Sequence, residues 1–307
     1  MIKGYTEIGQ AIDFLADDSP KTKTVPNYQG KIDFIPNNQF SIPVDSAKVL
    51  ANGTVPAKFA DRIVPEVLWT LDRRYLIKNH VIVFDLLATN NWERPIYFAV
   101  TVSSDNYLNL EDYFQVHGLA YRIVPINTKS DYPYVGGIDT EKVYNNLINK
   151  FKWGGITDPG IYIDENIERM LYNIRSSFSR LSDELIQEGK LDSARVVMEK
   201  CEEVLPNERV PYNIFNLPLV ENYFRLGENE KALEMMNKLK NNAYNELDYV
   251  VSLEPKFANL LDYEKRLNLH IINELGNIAQ TYGVNDLQQE FETKLQEYIL
   301  ALKMPLY

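Results

Sequence analysis

The sequence predicts a mixed α/β or α+β domain with a small sheet at residues 1–158, followed by an all-α domain of helical hairpins at residues 159–307. Two observations predict this division. Strand-like and helix-like patterns alternate in the first half of the chain, which is typical of a layered unit of strands and helices. From about residue 160 the strand patterns stop, and the preceding stretch KWGGITDPG is rich in residues that interrupt regular structure.

The first elements follow from the spacing of apolar residues. The stretch YTEIGQAIDFL (residues 5–15) repeats apolar residues at helical spacing and predicts a helix. KIDFIP (residues 31–36) suits a half-buried strand. FSIPV (residues 40–44) predicts a second short strand, and its proline favours the edge of a sheet.

A helix, a corner and a strand are predicted around the stretch NNWERPIYF. Residues 75–88 have helical spacing and are long for a strand, although VIVF alone also fits a buried strand. Asn90 and Asn91 suit the end of this helix, because asparagine tolerates the left-handed backbone of a C-terminal cap. The next strand is IYFAV. We expect Trp92 to pack under the corner, and Trp92 and Arg94 are candidate interaction residues.

The alternation of helix and strand then continues. Residues 108–118 predict a short helix, residues 119–126 a strand and residues 139–151 another helix. A loop containing proline and glycine lies between the last two elements. Its tyrosines, Tyr132 and Tyr134, are expected to be exposed and are further candidates for an interaction.

The helical half contains an internal repeat. Gly189 and Ala194 are five residues apart, as are Gly227 and Ala232, and each pair lies between two helix-like runs. A small alanine lets two helices approach closely, so the pattern resembles tetratricopeptide repeats. The glycines are 38 residues apart, against a usual period of about 34. A third, degenerate repeat has Gln288 in place of the alanine, and a non-repeating bundle is the alternative.

The repeat pattern implies a surface. In tetratricopeptide-like stacks the first helices of the hairpins line a concave groove that usually holds a peptide. The residues predicted to face it are Ser179, Asp183, Gln187, Glu221 and Arg225. A solvated face with no partner is the alternative.

Charge and cysteine content exclude several classes of function. The net charge of −11 makes a nucleic-acid partner unfavourable, because the chain repels phosphate backbones. The lone cysteine, Cys201, excludes a disulfide within the chain and a multi-cysteine metal site. It is expected to be a small core residue.

The sequence shows no pattern that predicts a cofactor, a metal or a catalytic residue. The three histidines, His80, His117 and His270, lie far apart and fit no metal-binding spacing. Nucleophile, phosphate-loop and dinucleotide motifs are missing. One catalytic alternative is a carboxylate-based hydrolase, because suitably spaced acids can cleave glycosidic bonds. Its candidate acids are Asp85, Glu93, Glu111 and Asp112.

The chain as written predicts neither a signal peptide nor a membrane span. Its beginning lacks a basic start followed by an apolar core. The longest apolar stretch, at residues 81–88, is far shorter than the roughly 20 residues that a bilayer requires.

Several motif runs resemble a known family. They are IPVDSAKVLANGTV, YLIKNHVIVFDLLATNNWERPIYFAV, LNLEDYFQVHGLAYRIVPI and GIDTEKVYNNL. These runs are similar to the C-terminal soluble region of large multi-pass membrane proteins of Gram-negative bacteria. The membrane half of those proteins is grouped with GT-C type glycosyltransferases and is related to an animal protein O-mannosyltransferase. Members often end in tetratricopeptide-like repeats. The resemblance covers roughly residues 1–160 through these motif runs and the remainder through the style of its repeats, and NNWERPIYF is its most specific part.

The resemblance implies that the chain is a segment of a longer protein. Transmembrane helices would precede it, so it would lie in the periplasm and be tethered to the inner membrane. The catalytic acids of such enzymes belong to the membrane half, and no residue here matches them.

Three functions are therefore open. The leading expectation is a non-catalytic accessory domain that contacts the upstream transmembrane domain and binds an acceptor polypeptide or glycan. The alternatives are a free-standing tetratricopeptide scaffold and the hydrolase described above.

Overall fold

The computed structural model describes residues 4–26, 28–128 and 134–304. The chain divides into two compact units, Met1–Asp139 and Thr140–Tyr307. The first contains small sheets and the second is helical, as the sequence predicts. The sequence pattern placed residues 140–158 with the first unit. In the structure they belong with the second, where the Thr140 hydroxyl donates to the Glu188 carboxylate at 3.0 Å.

Among the described residues, the first sheet of unit 1 has three strands, β1 (Thr6–Glu7), β2 (Gln39–Pro43) and β3 (Glu66–Thr70). β2 lies in the middle, parallel to β1 and antiparallel to β3. β1 pairs only with Phe40 and Ser41 of β2, so Pro43, which has no backbone N–H to donate, lies beyond the part of β2 that has a strand on both sides.

A second sheet follows, with strands β4 (Tyr97–Ala99), β5 (Phe114–Val116), β6 (Ala120–Ile123) and β7 (Gly137–Ile138). The strand order in the described chain is β4-β6-β5-β7. β6 is antiparallel to β4 and β5, whereas β5 and β7 are parallel. Gly136 permits this last pairing, because a side chain there would collide with the Phe114 carbonyl.

The α-helices of unit 1 are α1 (Ile8–Ala16), α2 (Pro20–Lys23), α3 (Ser46–Ala51) and α4 (Lys78–Asn90). Short 3-10 helices span Ala57–Arg62, Ser104–Asn106 and Glu111–Tyr113. The predicted helix at residues 75–88 is confirmed, and Asn91 ends it in the left-handed conformation (φ 45°, ψ 37°).

Aromatic side chains form much of the core of unit 1. The rings of Phe40, on β2, and Phe84, on α4, meet edge to face with centroids 5.0 Å apart. In the second sheet, Phe114 stacks on Tyr121 at 5.6 Å. Phe40, Phe84 and Phe114 are fully buried, which ties α4 and both sheets into one apolar cluster.

Two local predictions for unit 1 are wrong. Residues 31–36 contain no strand. Residues 108–118 do not form an α-helix, because Leu108 and Asn109 have positive φ angles of 60° and 61°. A 3-10 turn and strand β5 take the place of the predicted helix. The apolar side chains of that stretch fill the core on a bent backbone, so their spacing imitates a helix.

Unit 2 begins with α5 (Thr140–Tyr144), which continues as a π-helical turn, Asn145–Lys150. Its long helices are α6 (Glu165–Gln187), α7 (Leu191–Val204), α8 (Leu217–Arg225) and α9 (Asn229–Ser252). The short α10 (Pro255–Ala258) is followed by α11 (Asp262–Thr281) and α12 (Asn285–Leu302). Further 3-10 turns span Ile214–Asn216 and Asn259–Leu261.

Consecutive helices of unit 2 pack in pairs, α6 with α7, α8 with α9 and α11 with α12. Each pair is joined by a short turn whose glycine, Gly189, Gly227 or Gly283, has φ between 72° and 76°. Glycine adopts this conformation without strain. Ala194 and Ala232 follow the first two turns and are completely buried, which allows close packing of the paired helices.

The connection between α7 and α8 is held by a buried arginine. The Arg175 guanidinium, on α6, donates to the carbonyls of Leu205, Val210 and Pro211 at 2.6–3.0 Å. These bonds satisfy backbone oxygens that the irregular connection leaves without a partner.

Within the described part of the chain, no helix combines the length and the apolar character needed to cross a bilayer.

Candidate functional site

The corner after α4 is a rigid structure built around Trp92. Asn91 and Trp92 both have positive φ angles, 45° and 58°. Trp92 is 7% exposed, and its Nε1 donates to the Pro43 carbonyl at 2.9 Å. The Asn52 side chain donates to the Trp92 carbonyl at 2.8 Å. Trp92 is therefore fixed under the corner, as the sequence predicts, with its ring largely withdrawn from solvent.

The two charged residues after Trp92 have different environments. Glu93 pairs with Lys48 at 3.2 Å on the surface. Arg94 is exposed, and Asn90 holds its backbone from both sides: the Asn90 Oδ1 accepts from the Arg94 N–H at 3.1 Å, and its Nδ2 donates to the Arg94 carbonyl at 2.8 Å. Among the described residues, the Arg94 guanidinium has neither a hydrogen bond nor an ion pair.

A small cleft, the corner pocket, opens beside this turn. Its free volume is about 10 Å³, roughly the room that one water molecule requires. The pocket is lined by residues of the first sheet, the turn after α3, α4, the corner and β6: Ile42, Thr54, Leu87, Asn90, Trp92, Arg94, Pro95, Ile96, Arg122 and Ile123.

Arg122 enters the pocket from β6, where it lies opposite Tyr97. One of its terminal nitrogens, Nη1, makes a long 3.5 Å contact with the Gly53 carbonyl. Its Nε is buried and has no acceptor among the described residues. Burial lowers the pKa of this guanidinium, and the Tyr97 hydroxyl acts in the opposite direction. No local sequence pattern marks Arg122, because its place depends on cross-strand pairing.

In unit 2, three of the predicted groove residues meet on one surface. Arg225, on α8, forms an ion pair with Asp183, on α6. The Gln187 side chain donates to the second Asp183 oxygen at 3.0 Å. Arg225 also donates to Asn222 at 3.0 Å. We call the surface of Asp183, Gln187, Glu221 and Arg225 the hairpin face.

The predicted exposure of Ser179 is wrong. This serine is 1% exposed, and its hydroxyl donates to the Phe215 carbonyl at 2.8 Å. Ser179 and Ser182 are small residues where α6 packs against α8 and the turn before it. Close packing of these helices buries the position that simple helical spacing placed towards the groove.

The third hairpin adds an aromatic residue to this face. The Tyr282 ring stacks on Phe224 with centroids 4.5 Å apart and planes 11° from parallel. Burial raises the pKa of Tyr282; the charge of exposed Glu221 raises it further, and Arg225 opposes the shift. Tyr282 thus lies near both charged side chains. Its only sequence signal was its position directly before the turn glycine Gly283.

The two loop tyrosines, Tyr132 and Tyr134, were both expected to be exposed. Tyr132 lies outside the described residues. Tyr134 is half-buried, so it is less exposed than its proline- and glycine-containing loop suggested.

The candidate acids of the hydrolase alternative lie in unlike surroundings. Asp85 is exposed on α4, and Glu93 is paired with Lys48. Glu111 and Asp112 are adjacent; burial raises the pKa of the Glu111 carboxyl, and Asp112 adds to the shift. In the described chain, the lining of the corner pocket contains no carboxylate.

The histidines and the cysteine have local structural contacts. The His80 Nδ1 accepts from the Ile77 N–H at 3.3 Å at the start of α4. His117 and Gln115 share a buried 3.1 Å hydrogen bond, whereas His270 is exposed. Cys201 is buried, which raises the pKa of its thiol to about 12. The described residues contain no group of three or more histidine, cysteine or acidic side chains able to hold a metal.

Comparison with known proteins bears on unit 1. A family model described as TMEM260-associated domain 2 matches residues 1–142. Neither the curated proteins nor the solved structures contain a match to this chain. The matched segment ends three residues after Asp139, the last residue of unit 1. Unit 1 is therefore similar, over its whole length, to a domain associated with TMEM260.

Proposed function

We propose that the chain is a non-catalytic accessory domain of a membrane-embedded glycosyltransferase-like protein. The observation that carries this proposal is the match of residues 1–142 to the TMEM260-associated domain 2, which coincides with unit 1. The motif runs in the same residues resemble the soluble region of GT-C type proteins. In this proposal the chain lies in the periplasm, tethered to the inner membrane by upstream transmembrane helices.

The role that we propose for unit 2 is binding of an acceptor polypeptide on the hairpin face. Paired helices with glycine turns and buried alanines support a tetratricopeptide-like stack. The hairpin face offers groups that an extended peptide backbone can use: a carboxylate, an amide and a guanidinium from two neighbouring helices. Tyr282 adds an aromatic surface beside them, which would also suit the face of a sugar.

The test is selection of binders from a library of unstructured peptides with the intact chain. Asp183→Asn combined with Arg225→Gln removes the ion pair of the hairpin face and should abolish binding of the selected peptides. The matched control is Glu165→Gln with Arg169→Gln, which removes an exposed ion pair on the same helix α6 and should leave binding unchanged.

Two outcomes would contradict this role for unit 2. One is that no peptide is enriched over an unrelated protein, and the other is that both double variants bind alike. A neutral oligosaccharide array, probed with the same variants, distinguishes a glycan ligand from a polypeptide. The proposed membrane connection is tested separately, by reading the gene upstream of Met1: in-frame transmembrane helices support it, and an unrelated upstream gene contradicts it.

A free-standing interaction scaffold is the second candidate. It is favoured by the compactness of unit 2, which lies almost entirely outside the matched residues. Affinity capture of cellular partners, with the intact chain and with the chain lacking residues 1–139, separates the two proposals. A scaffold keeps all its partners without unit 1, whereas an accessory domain loses the membrane protein.

A further inference from the structure

We propose that the corner pocket of unit 1 binds an oxyanion, the phosphate or carboxylate end of a larger ligand, between the guanidinium groups of Arg94 and Arg122. This inference does not depend on the proposed function of either unit. It rests on a cleft whose lining includes two arginines and no acidic side chain among the described residues.

Arg122 carries hydrogen-bond donors that the described residues leave largely unsatisfied. Among the described residues, the Arg122 guanidinium makes one contact, in which Nη1 lies 3.5 Å from the Gly53 carbonyl. Its Nε is buried and has no acceptor among them. A buried donor without a partner destabilises the folded chain. Native proteins satisfy most such groups with protein, water or a ligand. The terminal nitrogens of Arg122 are the donors that an oxyanion in the pocket would reach, since among the described residues their one contact is the long one to the Gly53 carbonyl.

The charges beside the corner pocket also favour an anion. The chain carries a net charge of −11, with 43 acidic and 32 basic side chains, so carboxylates outnumber the cations that can pair with them. Beside the pocket, Glu93 is committed to Lys48 at 3.2 Å, so the nearest carboxylate along the chain does not neutralise Arg94. Two guanidinium groups without an ion-pair partner in the described structure favour an external anion. Arginine binds carboxylate and phosphate with paired N–H donors.

Hydrogen bonds hold the backbone around the corner pocket in place. The pocket wall is fixed by the Trp92–Pro43 hydrogen bond at 2.9 Å, and Asn90 holds the Arg94 backbone from both sides. Arg122 lies on the paired strand β6. Backbone positions for both arginines are therefore set before a ligand arrives, which lowers the entropic cost of binding.

One feature opposes an anion. The C-terminal end of α4 lies at Asn90, and the partial negative charge of a helix C-terminus disfavours anions. Both guanidinium groups are then needed to overcome it. We therefore expect loss of either arginine to weaken binding by roughly tenfold or more, because each guanidinium donates charge-assisted hydrogen bonds to the anion. The free volume has room for about one water-sized group, so one oxygen of the anionic end enters the pocket and the rest of the ligand stays outside it.

The experiment follows the arginine Nε–Hε signals of the intact chain by NMR while inorganic phosphate, or separately acetate, is added. Ionic strength is held constant with sodium chloride, so that screening does not change. The variants are Arg94→Gln and Arg122→Gln, which also assign the two signals. The matched control is Arg74→Gln, an exposed arginine of the same unit that does not line the pocket.

We expect saturable shifts of the Arg94 and Arg122 signals that persist in Arg74→Gln and are lost in each of the other variants. A response to phosphate alone assigns a phosphoryl ligand, and a response to acetate alone assigns a carboxylate. The inference is overturned if neither anion gives saturable shifts, or if Arg94→Gln binds as the unaltered chain does. Arg94 is exposed and its backbone bonds survive substitution, so this variant decides the question even if Arg122→Gln fails to fold.

Discussion

At the scale of single residues, the turn after α4 concentrates unusual backbone geometry. Two consecutive residues other than glycine, Asn91 and Trp92, have left-handed φ angles. Asparagine tolerates this conformation, but for a bulky residue such as tryptophan it is rare. Two hydrogen bonds hold Trp92 in this conformation: its Nε1 donates to the Pro43 carbonyl, and its own carbonyl accepts from the Asn52 side chain. The corner is thus stabilised by tertiary contacts that offset its local strain.

The first prediction concerns Asn91. Asn91→Ala should lower the free energy of unfolding by about 1 kcal/mol, because alanine lacks the tolerance of asparagine for positive φ. Asn91→Gly should stay within about 0.5 kcal/mol of the unaltered chain, since glycine adopts this backbone freely. Urea unfolding measures both. Equal effects of alanine and glycine would show that the side chain, and not the backbone, matters at this position.

The second prediction concerns His80. Burial and then the nearby Arg73 lower its pKa below the ordinary 6.5, while Asn106 and Asp105 act in the opposite direction. The unfolded chain therefore takes up a proton at a pH where folded His80 remains neutral. The contribution of neutral His80 to the free energy of unfolding is therefore present in full above pH 6.5. It is lost as the pH falls from this value towards the lower pKa of folded His80.

We expect the free energy of unfolding to depend less on pH in His80→Gln between about pH 7 and pH 5. Glutamine at this third position of α4 can still reach back to the Ile77 N–H, as His80 does, but it does not titrate. Urea unfolding at both pH values tests this. The same slope in both proteins would exclude His80 as the source.

At the scale of elements, the sequence was informative where one segment determines its own structure. Helix α4 and its asparagine cap follow from local spacing, as do the glycine turns of unit 2. Strand β3 was missed because exposed Leu68 interrupts the alternation of polar and apolar residues. Ser179, Tyr282 and Arg122 owe their positions to neighbouring helices or strands. No window of the sequence around these residues contains that information.

The third prediction concerns close helix packing. Ala232→Leu should destabilise the chain by about 1–3 kcal/mol, because Ala232 is fully buried at the start of α9 and extra methyl groups cannot fit. Gln288→Leu is the matched control at the corresponding place in the third hairpin, where the residue is half-buried. Thermal unfolding compares them. If Gln288→Leu lowers the unfolding temperature as much as Ala232→Leu does, close packing of α8 and α9 is not the cause of the destabilisation.

At the scale of the whole molecule, the similarity to a known domain and the compact units divide the chain at nearly the same place. The order of mixed and helical halves could be predicted from the sequence. The end of the first unit could not, since the loop before α5 and the loop before α6 are both rich in glycine. Only the packing of α5 against α6 distinguishes them.

The fourth prediction follows from this division. Residues 140–307, produced alone, should give the circular dichroism spectrum of a helical protein and unfold in one cooperative transition, because this unit has its own buried core. The fragment 159–307 is the control and should be less stable, since it lacks α5. A non-cooperative transition of the longer fragment would contradict independent folding.

The buried Arg175 has a consequence for how this architecture can vary. Extra residues lengthen the connection between the first two hairpins. The Arg175 guanidinium binds this connection through the carbonyls of Leu205, Val210 and Pro211. Main-chain oxygens are available whatever the side chains are. The connection can therefore change in amino-acid composition while its anchor on α6 is retained, and an arginine at this depth allows sequence drift in an irregular segment without a change in helix register.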